Sequence, residues 1–307
     1  MRNERFAIGI DIGGSSIKIG TVSESGNVSK KFKITNKGES SINELIKVLD
    51  TLVSSYIIGI GIGIAGLINK QSGKILNSPN ISFIETINIV DILSERFNLQ
   101  VFIENDANAA AVGEMWIGAG RDFPNFVLLT LGTGIGGGII YKKKLLEIPA
   151  EIGHMSINSD GYKCTCGNMG CLEAYASANA ILSNAINNLE KGRESILKSL
   201  HNGNYYKLTV EDIYKSALEG DNLAREILKE AGRYLGIGIA NIINIFGPDA
   251  VILTGGLTGA WDIYVNEAIK EASRRAFKDL YNKAKIIPSI LKDDAGVIGS
   301  AYLVLNH

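Results

Sequence analysis

The stretch FAIGIDIGGSSIKIG, residues 6–20, decides how the rest of the chain is read. Phe6 to Asp11 is an apolar run of strand type, Gly13 and Gly14 supply a turn, and a second apolar run extends from Ile17 to Val22, which together predict a β-hairpin. The same order returns at residues 126–141, FVLLTLGTGIGGGIIY, with a run from Phe126 to Leu131, a glycine turn and a further strand from Gly138 to Tyr141. Two strand-glycine-strand openings in one chain point to a duplicated domain.

Outward from these hairpins, SINELIKVLDTLVSSY (41–56) has helical spacing of its apolar residues, and IIGIGIGIAGLI (57–68) reads as a buried strand ending in a glycine-rich loop. VFIEND (101–106) is a short strand running into the Ala-rich helix ANAAAVGEMW, with Asn105 or Asp106 as the expected cap. Further helices are expected around 174–190, 209–231 and 232–245, and AVILTGG (250–256) as a strand ending in glycines. Strands alternating with helices predict an α/β protein with helices on the sheet faces. No low-complexity linker separates the two halves, so they are expected to meet across a cleft.

The 307 residues carry 31 Lys+Arg against 32 Asp+Glu, so no net field draws the chain to nucleic acid or an anionic membrane surface. The expected partner is small or neutral. With 46% hydrophobic residues the chain can bury a large core, and its length fits two domains. No apolar run reaches the roughly 18–20 residues that span a bilayer, and no signal-peptide core precedes the first strand, so a soluble cytoplasmic protein is expected.

Asp11 at a strand end, followed by Gly13, Gly14 and Ser15, lets backbone amides approach phosphate oxygens while the carboxylate orients a magnesium-bound water. GTGIGGG at 132–138 and TGG at 254–256 are further runs of this kind. Each alone reads as a tight turn or helix cap. None has the Walker spacing, and none is a dinucleotide-binding glycine pattern opening a helix. Paired glycine hairpins from two similar halves are the device of actin-like ATPases and sugar kinases.

At this point the chain resembles the ROK family of sugar kinases and repressors, within the actin, Hsp70 and hexokinase superfamily. The resemblance rests on DIGGSSIKIG (11–20), GIGIGIAGLI (59–68), SPNI (78–81), ENDANAAA (104–111), LGTGIGGG (131–138), EIGH (151–154), CTCGNMGCLE (164–173) and LTGG (253–256), in family order. It implies a two-domain α/β actin-like ATPase (ribonuclease H-like) fold: a small domain of residues 1–113 with a returning C-terminal helix at 294–307, and a larger domain of 114–293 with a zinc-binding loop. It also implies transfer of the γ-phosphate of ATP, with Mg2+, to a sugar hydroxyl, with Asp106 as catalytic base. The implied sugar contacts are Asn105, Glu151, His154 and Glu173, with Gly66 and Asn80 as further candidates. Asp11, Gly13, Gly14, Ser15 and Lys18 match the first phosphate loop, Gly132, Thr133 and Gly134 the second, and Gly255 and Gly256 should border the adenosine. The chain departs from the family pattern at Ser15, usually Thr, at Ala65, usually Pro, and at SFIE after SPNI.

All three cysteines, Cys164, Cys166 and Cys171, fall in one glycine-rich loop. Such a set binds one tetrahedral ion, and Zn2+ with a fourth nitrogen ligand is its usual occupant. His201 lies in a polar loop and His307 ends the chain, which leaves His154. Four protein ligands make the expected zinc structural.

The expected function is therefore an ATP-dependent hexose kinase, most simply a glucokinase acting at the 6-hydroxyl, in a homodimer or homotetramer. N-acetylmannosamine kinase and fructokinase are the alternatives within the class, and a non-catalytic sugar-responsive regulator is the alternative outside it. Repressors of the family carry an N-terminal helix-turn-helix domain, which is not expected here because the first strand is predicted to begin at Phe6.

Overall fold

The computed structural model describes residues 4–70, 72–78 and 81–307. Its strands are β1 (Phe6–Ile12), β2 (Ser16–Ser23), β3 (Val28–Thr35), β4 (Ile57–Ile64), β5 (Leu67–Asn69), β6 (Lys74–Asn77), β7 (Gln100–Asn105), β8 (Phe126–Leu131), β9 (Ile135–Tyr141), β10 (Lys144–Leu145), β11 (Ala250–Thr254) and β12 (Lys285–Pro288). Its helices are α1 (Ser40–Leu52), α2 (Ile89–Phe97), α3 (Asp106–Ile117), α4 (Glu173–Ala176), α5 (Ala178–Glu190), α6 (Val210–Leu218), α7 (Asn222–Phe246), α8 (Asn266–Arg275), α9 (Lys278–Lys283) and α10 (Ala295–Leu305).

The two large sheets have one design. The first runs β3-β2-β1-β4-β7 and the second β10-β9-β8-β11-β12. In the first, β1 and β2 pair antiparallel while β1, β4 and β7 run parallel. In the second, β11 and β12 are parallel. The two sheets thus share one strand order, three consecutive strands followed by two later ones, which fits the duplication that the repeated hairpin implied.

Alternation along β1 and β4 explains how the first sheet is covered. Successive side chains of a strand point to opposite faces, so Ile8, Ile10 and Ile12 and Ile60, Ile62 and Ile64 share one face, where they are buried in one cluster with Leu45 and Leu49 of α1 and Leu93 of α2. Burying each such side chain stabilises the fold by about 1.5–3 kcal/mol. Gly9 and Gly61 occupy the other face, and α10 lies directly on them. A methyl group added at Gly61 would stand 1.8 Å from the carbonyl oxygen of Ser300. The same contact closes α10 on α3, where a methyl at Gly299 would stand 1.6 Å from the carbonyl oxygen of Ala109.

Contacts divide the chain into two compact units, one of residues 1–128, 138–149 and 289–307, the other of 129–137 and 150–288. In the second unit the expected boundary between helices at 231/232 is absent: α7 runs unbroken from Asn222 to Phe246. The break lies at 219–221 instead, where Asp221 caps α7 by accepting from the backbone N–H of Ala224. Ser177 likewise separates α4 from α5 by capping the latter. Among the described residues, no helix is long and apolar enough to cross a membrane.

Candidate active site

Within the first unit, register pairs Asp11 with Lys18 across the opening hairpin. Lys18 Nζ lies 3.7 Å from Asp11 Oδ2 and 3.4 Å from Asp293 Oδ1. Burial pushes the Asp11 carboxyl above its ordinary range, Lys18 opposes that shift, and the Asp293 charge adds to it. Asp11 lies on the glycine face of β1, under the start of α10, where a methyl at Gly296 would reach 2.9 Å from its Oδ2. The Gly13 N–H closes the turn on the Ser16 carbonyl at 3.0 Å, leaving Gly14 and Ser15 exposed. Asp293 enters from far along the sequence, and nothing in the local pattern marks it.

The base candidate stands at the start of α3. Asn105 is the cap, its Oδ1 accepting from the backbone N–H groups of Ala107 at 3.0 Å and Asn108 at 3.2 Å. Asp106 is the first helical residue, with Oδ1 2.9 Å from the Ala107 nitrogen. The cap left open between the two is thus Asn105. The Nδ2 of Asn105 donates to the Gly66 carbonyl at 3.2 Å, where the chain turns with φ at +133°. Glu104, to which the sequence motif assigns no role, is 3% exposed and accepts from the Asn105 N–H. Asn80 lies outside the described residues.

Within the second unit, the loop at 132–134 closes through a 3.0 Å bond from the Gly132 N–H to the Gly134 carbonyl, with Thr133 exposed. The Glu173 carboxylate is drawn to this turn. Its Oε2 accepts from the Ile135 N–H at 2.8 Å. Gly255, at φ +96°, passes so close to β8 that a methyl there would stand 2.4 Å from the Leu131 carbonyl oxygen, and Gly256 beside it opens on free space. Gly14, Ser15, Thr133, Gly255 and Gly256 are thus exposed at the three glycine turns.

The same unit brings the cysteines and one histidine together. The ligand atoms of His154, Cys164, Cys166 and Cys171 all lie within 4.8 Å of one another. His154 Nδ1 is 3.6 Å from Cys164 Sγ, and Cys166 Sγ is 3.7 Å from Cys171 Sγ. Positive φ at Gly167 and Gly170 lets the loop double back between the thiols. Burial, with the neighbouring thiols, pushes Cys171 up to about 12. Burial acts the same way on Cys166, but hydrogen bonds from Asn168 and the other thiols outweigh it and leave that group lowered. One nitrogen and three sulfurs this close are a donor set that fits Zn2+. With Nδ1 turned to the cysteines, His154 presents Nε2 to Glu151, 3.9 Å from its Oε2.

Two sheets of one strand order, each opened by a glycine-turned hairpin, define an α/β protein of the actin-like ATPase fold. The chain belongs to the ROK family, whose model matches residues 7–307. It is 34% identical to a glucokinase of Halalkalibacterium halodurans, over 98% of this chain and 96% of that protein. It is also 34% identical to the xylose repressor of Caldicellulosiruptor bescii, over 97% of this chain and 78% of that protein. Among solved structures it is similar to a ROK family glucokinase from Streptomyces griseus in complex with glucose and AMPPNP, with a TM-score of 0.87 and 31% identity, covering 98% of this chain and 100% of that one.

Proposed function

We propose that the chain is an ATP-dependent hexose kinase that phosphorylates glucose at its 6-hydroxyl, with Asp106 as general base. The observation that carries this reading is the division of labour at the start of α3: Asn105 caps the helix, and the Asp106 carboxylate follows it as the first helical residue. A helix N-terminus favours negative charge at this position. The loose transition state of phosphoryl transfer asks it mainly to align the hydroxyl and accept its proton late.

Glu151, His154 and Glu173, with Asn105, hold the sugar by hydrogen bonds to ring hydroxyls, which is how a buried site rejects analogues that lack one. The glycine turns at 13–15 and 132–134 present backbone amides to the phosphates, Lys18 adds a cation, and Gly255 and Gly256 border the adenosine. Magnesium arriving with the nucleotide neutralises phosphate charge, and Asp11 orients its hydration shell. His154, Cys164, Cys166 and Cys171 would hold a structural zinc that fixes the loop carrying His154. The protein acts in the cytoplasm as a homodimer or homotetramer.

The xylose repressor matched at the same identity supports a second reading, a sugar-responsive regulator without catalysis. An ADP-release assay with ATP across glucose, mannose, fructose, glucosamine, N-acetylglucosamine and N-acetylmannosamine separates the readings. Turnover is expected and greatest with glucose; preference for N-acetylmannosamine or fructose would move the assignment within the family. A sugar that raises the melting temperature without turnover would favour the regulator.

A further inference from the structure

Glu104 is nearly fully buried beside the proposed base, and its charge has one cationic partner among the described residues. Lys70, just after β5, pairs with the Glu104 carboxylate and lies 3.7 Å from Glu147. A carboxylate that is 3% exposed persists only when paired and hydrogen-bonded. Both conditions are met here. Besides Lys70, its Oε1 accepts from the Asn105 N–H at 2.9 Å and from Asn108 Nδ2 at 3.1 Å.

These bonds lead to the residues assigned to the sugar. Asn105 caps α3 and Asp106 opens it, so the position of Glu104 sets the register at which both are presented. Asn108, one turn further, has its Oδ1 buried without a partner, which leaves its side chain oriented by Glu104. The segment after β4 therefore grips Asn105 twice, once through the Gly66 carbonyl and once through Lys70 and Glu104. The first grip falls in the β4–β5 connection, where Ala65 stands in place of the proline usual in the family; the second lies beyond β5.

We propose that Lys70 is a positioning residue for the start of α3, holding Glu104 so that Asn105 and Asp106 meet the sugar hydroxyl in fixed geometry. An ordinary exposed lysine pair contributes little. This one differs because its partner is buried: without Lys70, Glu104 is left as an uncompensated charge and must move or take up water, carrying the Asn105 amide with it. The roles given to Asn105 and Asp106 rest on the kinase reading.

The test uses the full chain with Lys70→Met, Lys70→Arg and the double variant Lys70→Met/Glu104→Gln. Hydrogen exchange of the amides at 105–108 is followed without sugar, and kcat and KM are measured with glucose and ATP. Lys70→Met should speed exchange at 105–108 about tenfold while the rest of the first unit keeps its protection. It should lower kcat/KM for glucose by about a hundredfold, the loss expected for a misplaced reacting group. Lys70→Arg should restore both, and the double variant should exchange more slowly than Lys70→Met because the stranded charge is gone. Unchanged exchange at 105–108 in Lys70→Met would overturn the inference, as would a uniform loss of protection with a lower melting temperature, or faster exchange with wild-type kinetics. If the wild-type chain turns over no sugar, the kinase reading fails, and the exchange data still decide whether Lys70 holds these residues.

Discussion

The Glu173 carboxylate accepts the backbone N–H of Ile135 at 2.8 Å, and a methyl placed on Gly134 would come within 2.3 Å of the same oxygen. The acid that follows the last cysteine is thereby tied to the second glycine turn. Its charge-assisted bond is worth about 1.5–3 kcal/mol. Glu173→Gln should raise the KM for glucose roughly tenfold or more, and because the turn slackens, the KM for ATP as well. Gly134→Ala should reproduce both effects by displacing the carboxylate. Initial-rate kinetics in both substrates check this, and a change confined to glucose would mean that Glu173 does not support the turn.

Cys166 is exposed whereas Cys164 and Cys171 are buried. Replacing an exposed sulfur by oxygen removes little packing, so a large effect of Cys166→Ser on stability reports a lost metal ligand. The variant is expected to lose about 5 °C or more in melting temperature and to bind glucose more weakly, as should the wild type treated with a chelator. Atomic emission should find one zinc per chain in the wild type. No zinc, or a Cys166→Ser protein with unaltered melting temperature and KM, would count against the metal.

The sign of the Asp11 shift gives a pH prediction. Its folded pKa is raised, chiefly by burial. Its contribution to stability is therefore fully present below the ordinary carboxylate value and is lost as pH rises through the folded value. Ionising Asp11 therefore costs the folded state stability. Asp11→Asn should melt higher than wild type at about pH 7, with the advantage shrinking toward about pH 4. Its turnover should fall by about a hundredfold or more. Melting curves across that range, beside ADP release at neutral pH, test both halves.

The fold was legible where composition and periodicity agree. The Ile-Gly alternation of β1 and β4 follows from one face meeting a core and the other a helix, and the repeated hairpin predicted the repeated sheet. The Cys-His cluster was legible because three of its members are close in sequence, in the cysteine loop. Partnerships across long separations were not. Asp293 beside Lys18, Lys70 against Glu104 and Ser289 on Glu114 are each created by tertiary packing and leave no local pattern. The helix boundary at 219–221 leaves no break in the apolar spacing, and the capping role of Asp221 outweighs that spacing.

Glu114 makes the last of these partnerships testable. It is fully buried at the end of α3 and accepts from the Ser289 hydroxyl, the Leu291 N–H at 3.2 Å and the Ala119 N–H at 2.6 Å. Glu114→Ala strands three donors, each costing about 1–3 kcal/mol when left unsatisfied. Urea unfolding should show a destabilisation of roughly 3 kcal/mol or more. A loss below about 1 kcal/mol would mean that water replaces the carboxylate at little cost.

Asp106 gives the decisive separation of stability from catalysis. Because Asn105 satisfies the first amides of α3, Asp106→Asn keeps the cap and retains an oxygen for the Ala107 N–H. The melting temperature should stay within about 2 °C of wild type. The amide cannot accept the hydroxyl proton, however, and general-base catalysis contributes about 10²–10⁴-fold, so kcat should fall by that factor. Glucose affinity, measured by calorimetry without nucleotide, should change by less than about threefold, since the amide still hydrogen-bonds the hydroxyl. Asn105→Ala should do the reverse, costing about 1 kcal/mol of stability through the lost cap and weakening glucose binding. If Asp106→Asn retained wild-type turnover, the base would have to be sought elsewhere, even with the family and the fold unchanged.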